Sequence, residues 1–159
     1  VSTVEMPEAV MQRLFPHSKI KVKNLMLTEQ KARQVELFCG RMPEEKLVSF
    51  YLAQQNGTTI AYGYADIHTV RTHPETIFYL IDSVGNIIKV EVLSFREPPD
   101  YRPSDRWLNQ FKGKSLGKNN LLLSNDIAAI SGATLTSVAV TRNSRKALAL
   151  WKVFFENKK

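Results

Sequence analysis

Residues 47–69 read LVSFYLAQQNGTTIAYGYADIHT, and they hold the strongest structural signal in the chain. Asn56-Gly57 is the preferred two-residue hairpin turn, because both residues accept positive φ. Leu47 to Gln55 has the pattern of a strand, and Thr58 to about Thr69 is rich in β-branched and aromatic residues. The sequence therefore predicts an antiparallel hairpin over these residues.

Two further strands are expected after a bend at Thr72-His73-Pro74. Thr76 to Ile81 is predicted as the third strand, and Ile87 to Phe95 as the fourth after a turn at Val84-Gly85-Asn86. Because the turns are short, we expect an antiparallel meander of four strands.

Helices are predicted on both sides of this meander. A short helix over residues 6–15, a half-exposed strand from Ser18 and a helix from a Thr28 cap to about Phe38 precede it. The longest helix runs from about Ala133 to Phe155 and has a broad apolar face. The predicted fold class is α+β, an antiparallel meander sheet packed by a long C-terminal helix and shorter helices.

Regular structure is interrupted after the meander by the prolines at positions 98, 99 and 103. Asp105 is expected to cap a short helix that carries Trp107. Residues 112–125 are expected to form a loop with a short strand at Leu121 to Leu123.

Composition is that of a globular protein, with 159 residues of which 43% are hydrophobic and 23% charged. The 22 Lys and Arg against 15 Asp and Glu give a net charge of +7, which favours acidic partners. The basic residues are spread along the chain, however, and no nucleic-acid-binding scaffold is recognisable. We therefore expect no nucleic-acid partner.

Metal, disulfide and hydrolase chemistry are not indicated. Cys39 is the single cysteine, so it forms no intramolecular disulfide, and it is interpreted as a small buried residue. His17, His68 and His73 do not have the spacing of metal ligands. Ser131 lacks a nucleophile elbow, so no catalytic residues are assigned.

Residues 131–136 read SGATLT and lie at the start of the longest predicted helix. The first backbone N–H groups of a helix lack internal acceptors, and the helix dipole places partial positive charge there, so this position suits a phosphate. Gly132 and Ala133 keep the approach to the Thr134 hydroxyl open. The alternative from physics alone is an ordinary Ser131 N-cap on an amphipathic helix.

The same six residues resemble the flavinylation motif of the FMN-binding domain family, whose members include one subunit of the sodium-pumping NADH:quinone oxidoreductase and one of the Rnf complex. Further stretches upstream also resemble the family and occur in the same order as in its members. Together the similar stretches cover roughly residues 58 to 150. They are Tyr62–Ala65, Asp82–Ile87, Val90–Leu93, Glu97 and Trp107–Lys114. We expect one domain over 1–159, with an N-terminal part at 1–46 and the family core at 47–159.

The resemblance implies FMN as the cofactor, joined through its phosphate to Thr134 by a phosphodiester, with Thr136 as the second candidate. It also implies a flavin transferase for maturation and a place in the periplasm or an equivalent space, after loss of a signal peptide. Ala128 stands where family members commonly carry Asp, and Asp126 is the nearest acid. Because of this departure, non-covalent FMN binding is the alternative.

An isoalloxazine ring needs a flat apolar slot and donors for its carbonyl edge. Three predicted loops, 68–76, 94–107 and 126–134, are expected to converge on the helix start and supply them. The candidate cofactor-binding residues are Ser131, Gly132, Ala133, Thr134, Leu135, Thr136, Thr72, Glu97 and Trp107.

The function that follows from the resemblance is electron transfer between partner proteins, membrane-associated ones included. We favour an electron carrier over a stand-alone enzyme. Two alternatives stay open: a flavin-dependent reductase for a small acceptor, or the cofactor-loading part of one, and a flavin-free scaffolding module.

Overall fold

A five-stranded antiparallel sheet with its strands in chain order forms the centre of the structure. The computed structural model describes residues 4–118, 121–122, 126–130 and 132–156. Its strands are β1 (Lys19–Met26), β2 (Leu47–Gln55), β3 (Thr58–Thr69), β4 (Pro74–Asp82) and β5 (Ile87–Phe95). The α+β class is confirmed.

The predicted four-strand meander was one strand short, because β1 also joins the sheet. It pairs antiparallel with β2, with Ile20 opposite Ala53. A helix separates the two strands along the chain, so no tight turn signalled their pairing. The predicted turn between β2 and β3 is confirmed, with φ of 52° at Asn56 and 79° at Gly57.

Four α-helices accompany the sheet: α1 (Pro7–Leu14), α2 (Glu29–Cys39), α3 (Asp105–Leu108) and α4 (Thr134–Phe155). Short 3₁₀ turns lie at Pro99–Tyr101 and Asn109–Phe111. In the described part of the chain, we find no helix with the length and hydropathy that crossing a bilayer requires.

Helix caps confirm one prediction and correct another. Thr28 caps α2 as predicted, its hydroxyl accepting from Lys31 N at 3.2 Å. The cap of α3 is Ser104 and not Asp105: the Ser104 hydroxyl accepts from Trp107 N at 3.1 Å, and Asp105 is already the first helical residue.

Two other local predictions were wrong. Leu121 and Leu122 do not form a strand, and Leu121 has a φ of 52°, which lies outside the strand region; Leu123 lies outside the described residues. Cys39 is half-buried instead of buried, and its thiol lies 3.2 Å from Arg41 O.

The helices lie on opposite faces of the sheet. On one face, Tyr62 of β3 packs against Trp151 and Phe155 of α4, at ring distances of 6.0 and 4.8 Å. On the other face, α1 approaches Gly63, where a Cβ would lie 2.2 Å from the Phe78 ring. The alternation along β3 thus separates a large core under α4 from a smaller one under α1.

Strand β3 and helix α4 run in opposite directions. Tyr62, early in β3, meets Phe155 near the end of α4, whereas His68, late in β3, meets Asn143 nearer the start of that helix. The β3–β4 connection therefore lies toward the N-terminal end of α4. This arrangement places the 69–74 loop near the residues predicted to hold a phosphate.

Candidate functional site

The start of α4 has no side-chain cap. Ala133 is the N-cap residue, with φ of −137° and no side-chain hydrogen bond, so the predicted Ser131 N-cap is wrong. Ser131 itself lies outside the described residues. The first helical bond runs from Ser137 N to Ala133 O at 3.1 Å. The N–H groups of the three preceding residues therefore have no acceptor within the helix.

The two threonines of the motif differ sharply in exposure. Thr134 is exposed at the first helical position, whereas Thr136 is only 1% exposed. Leu135 is 57% exposed, and among the described residues other than the chain neighbours of Gly132 no atom lies within 4 Å of the place where Gly132 would carry a Cβ. The approach to the Thr134 hydroxyl is thus open, as the sequence predicted.

Ser137 ties the preceding loop to the helix. Its buried hydroxyl accepts from Ile130 N at 2.8 Å and donates to Ala133 O at 3.0 Å. Ala133 N in turn donates to Ile130 O at 3.1 Å. These bonds set the path of the chain directly before Thr134.

Trp107 is held against the same loop. Its Nε1 donates to Ala128 O, and Ala128 N donates to Gln110 Oε1 at 2.8 Å. The indole is 8% exposed, and it lines a shallow pocket of about 310 Å³ together with Ile130. The backbone of Ala128 therefore connects α3 to the loop, although its side chain carries no acid.

Asp126, the nearest acid to the SGATLT motif, is hydrogen-bonded to Leu121 and Leu122, which precede Asp126 in the chain. Its carboxylate accepts from Leu121 N at 2.8 Å, and its own N donates to Leu122 O at 3.1 Å. These two bonds link Asp126 to Leu121 and Leu122.

Glu97 organises the β3–β4 connection. Its Oε1 accepts from the backbone N of Thr72 at 2.8 Å and of His73 at 2.9 Å, and from Thr72 Oγ1 at 3.3 Å. The residue is 6% exposed. The hydrogen bonds from Thr72 N and then His73 N lower the pKa of Glu97, so the carboxylate is charged at neutral pH.

The predicted site residues thus fall into two groups in the structure. Thr72 and Glu97 bond to each other, whereas Trp107 bonds to the loop that leads into Thr134. The opposite directions of β3 and α4 place the Thr72–Glu97 group toward the N-terminal end of α4. Arg71, in the β3–β4 loop, stacks over the Tyr101 ring at 4.7 Å. The contact of both groups with a single flavin ring stays a prediction.

A buried charge cluster between the sheet and α4 was missed by the sequence reading. His68 lies between Asp66, at 2.6 Å from Nδ1, and Glu75, which contacts Nε2. Lys146 Nζ lies 2.6 Å from Asp66 and 2.8 Å from Glu45. Asp66 and Glu75 are 2% and 1% exposed. The spacing of Asp66 and His68 on one face of β3 was the available signal.

The protonation of this cluster follows from its geometry. Burial alone lowers the pKa of His68, but the hydrogen bonds and charges of Asp66 and Glu75 outweigh it and raise that pKa to about 9. Burial likewise raises the pKa of Asp66, yet the His68 hydrogen bond and the Lys146 charge bring it below its usual value. His68 is therefore a cation at neutral pH, paired with two carboxylates.

Comparison with known proteins points to a flavin-binding family. Residues 73–149 match the model of a family described as the FMN-binding domain. The chain is 27% identical to a subunit of the Na(+)-translocating ferredoxin:NAD(+) oxidoreductase complex of Acetobacterium woodii, with 71% of this chain and 59% of that protein covered. The chain thus spans about three fifths of the length of this curated relative. The family-model range contains Glu97, Trp107 and Thr134.

Proposed function

We propose that the chain, whose residues 73–149 match the model of the FMN-binding domain, is an electron carrier with FMN joined through its phosphate to Thr134. The observation that carries the attachment is the exposed Thr134 hydroxyl at the first position of a 22-residue helix. The electron-carrier role is supported by similarity to a subunit whose name describes an oxidoreductase complex. The bound FMN supplies the redox chemistry, and the protein holds and orients it.

The start of α4 suits the phosphodiester for electrostatic reasons. A phosphodiester keeps one negative charge, and the dipole of a long helix stabilises such a charge at its N-terminus by about 0.3 to 1 kcal/mol. The N–H groups of Thr134, Leu135 and Thr136 precede the first helical acceptor and point toward this end. Ala133 offers no side-chain cap, so among the described residues the N-cap side chain does not compete with a ligand for these donors.

Burial favours Thr134 over Thr136 as the attachment residue. A transferase must bring its donor phosphate to the hydroxyl oxygen, and Thr136 is 1% exposed. Modification of Thr136 requires the first turn of α4 to unwind, whereas Thr134 is already exposed. We assign the bond to Thr134 Oγ1 for this reason.

The ring is proposed to lie over the two groups at this end of the helix. Trp107 and Ile130 offer an apolar wall beside the helix start. Glu97 holds the Thr72–His73 backbone in place, so that this loop keeps one shape when the ring binds. The net charge of +7 favours the anionic phosphate and an anionic reduced flavin.

Maturation and location complete the proposal. A flavin transferase forms the Thr134 bond in the periplasm or an equivalent space outside the cytoplasm: Thr134 Oγ1 loses its proton and attacks the FMN phosphorus of a flavin dinucleotide, and the nucleoside monophosphate leaves as the pyrophosphate bond breaks. Free FMN is scarce there, so a covalent bond prevents loss of the cofactor. Redox partner proteins, membrane-associated ones included, are the proposed donors and acceptors of the electrons.

The test is the intact mass of the chain after co-expression with a flavin transferase. We expect a gain of one FMN less one water in the wild type and in Thr136→Ala, and no gain in Thr134→Ala. Thr134→Ser keeps a hydroxyl at the same position and is the matched control. A full gain in Thr134→Ala refutes the assignment, and a yellow protein of unmodified mass establishes non-covalent binding instead.

A further inference from the structure

We propose that a pocket between α2, β3 and α4 binds a small oxyanion, either a carboxylate or a phosphate. This pocket, called the arginine pocket below, has a volume of about 240 Å³. Arg41 enters it from the segment after α2, Arg142 enters from α4, and Thr69 and Asn143 add a hydroxyl and an amide. The proposal concerns a second site, which does not depend on the flavin.

The other two cations beside the pocket, Lys146 and His68, are already paired with carboxylates of the protein. Lys146 pairs with Asp66 and Glu45, and His68 pairs with Asp66 and Glu75. Three carboxylates thus share two cations, and each of these carboxylates lies within 4.0 Å of Lys146 or His68. Each pair is largely buried, so the partners do not exchange freely with solvent ions.

Arg41 and Arg142 have no such partner. In the described ranges, neither guanidinium makes an ion pair with a carboxylate within 4.0 Å. Glu44 also lines the pocket, where its side chain is exposed at the rim. Two guanidinium groups are thus left facing one concave site.

These two cations repel each other. Burial lowers the pKa of Arg142 and the positive charge of Arg41 lowers it further, and the negative charge of Asp66 offsets these two effects only in part. Arg145, one turn along α4, shows the same effect from burial and from Arg142. An anion between Arg41 and Arg142 removes this repulsion, and the planar guanidinium matches the two oxygens of a carboxylate or phosphate.

The size and position of the arginine pocket define the ligand class. A volume of about 240 Å³ is below the range of pockets that hold drug-sized ligands, so the fitting ligand is a small anion. Arg142 lies eight residues after Thr134, about 12 Å along the helix axis. The arginine pocket is therefore separate from the proposed phosphate position.

The single cysteine offers a direct readout of occupancy. Cys39 lines the arginine pocket and is half-buried, and the chain has no other thiol. An uncharged reagent such as N-ethylmaleimide therefore reports on this pocket alone. At ten times the dissociation constant, bound anion is expected to slow the modification of Cys39 about tenfold.

Binding is measured on the full chain by titration calorimetry with inorganic phosphate and with succinate, with sodium chloride adjusted to constant ionic strength. We expect Arg41→Gln and Arg142→Gln each to weaken binding about ten- to a hundredfold, because each removes a charge-assisted hydrogen-bond donor. Arg33→Gln is the matched control, since it removes the same charge from exposed α2 outside the pocket. Arg142→Lys keeps the charge and the fold but loses the planar fork.

The outcomes separate the sources of the anion. Tighter binding of phosphate assigns a phosphate ligand, and tighter binding of succinate assigns a carboxylate ligand. The proposal is overturned when neither anion binds at about 10 mM, roughly a hundredfold above a Kd of about 100 μM. It is also overturned when Arg33→Gln weakens binding as much as Arg142→Gln, since the effect is then one of overall charge.

Discussion

Ser137 connects the stability of the fold to the geometry of the proposed attachment site, and Ser137→Ala tests that connection. The Ser137 hydroxyl is buried, accepts from Ile130 N at 2.8 Å and donates to Ala133 O at 3.0 Å. Alanine removes only the oxygen and leaves the helix backbone intact. The loop before Thr134 then loses its bond to α4 through Ile130 N.

The size of the effect follows from these two bonds. Leaving a half-buried N–H without its partner and losing the second hydrogen bond costs about 2 kcal/mol. Alanine has the higher helix propensity and returns about 0.5 kcal/mol. The net loss is about 1.5 kcal/mol, which lowers the Tm by about 3 to 6 °C for a chain of this size.

The assay is thermal unfolding followed by circular dichroism, together with the rate of FMN attachment by a flavin transferase. Ser144→Ala is the matched control: Ser144 is also fully buried in α4, but its hydroxyl donates at 2.6 Å only to Thr141 O in the same helix. We expect Ser144→Ala to change the Tm by less than about 2 °C. Attachment to Thr134 is expected to slow in Ser137→Ala and to stay unchanged in Ser144→Ala.

A Ser137→Ala variant as stable as Ser144→Ala refutes the role assigned to the Ile130 bond. A variant that is destabilised but attaches FMN at the wild-type rate separates the two claims. In that case the bond stabilises the fold without shaping the site.

Two further predictions concern the sheet and the charge cluster. Gly63→Ala places a Cβ 2.2 Å from the Phe78 ring, and we expect it to lower the free energy of unfolding, measured by urea denaturation, by about 2 to 3 kcal/mol. Gly57→Asn, in the β2–β3 turn, is the control and is not expected to cause this loss. His68 has a pKa of about 9 in the folded chain against about 6.5 in the unfolded chain, so its stabilisation is complete below pH 6.5 and is lost as the pH rises through 9. We expect the unfolding free energy of the wild type to fall by about 2 to 3 kcal/mol more than that of His68→Gln between about pH 6 and pH 9. An equal fall in both proteins contradicts the charged state of His68.

Local signals predicted most of the sheet because strands and tight turns depend on neighbouring residues. Asn56-Gly57 and the alternation around it placed β2 and β3 correctly, since the turn needs two positive φ angles and the strands need one apolar face. The same reasoning did not place β1 in the sheet. That pairing depends on how α2 returns the chain to β2, which no short motif encodes.

The proposed attachment motif could be identified from sequence because its requirements are also local. Small residues, a hydroxyl and the start of a long helix occur within six positions, and the family match includes them. The relation of Thr72, Glu97 and Trp107 to one another depends on three separate loops. Sequence reasoning named these residues, and the structure shows which of them bond together.

Residue order alone thus specified the strand pattern, the long final helix and a resemblance to an FMN-binding family. Packing in three dimensions determined the exposure difference between Thr134 and Thr136 and the pairing of Asp66 with Lys146. It also placed two arginines in the arginine pocket without an ion-pair partner among the described residues. The physical reason is distance along the chain. Asp66 and Lys146 lie 80 positions apart, and they meet because β3 and α4 pack in opposite directions. Periodicity shows which face of an element is apolar, but the partner that meets a charged side chain depends on how separate elements align.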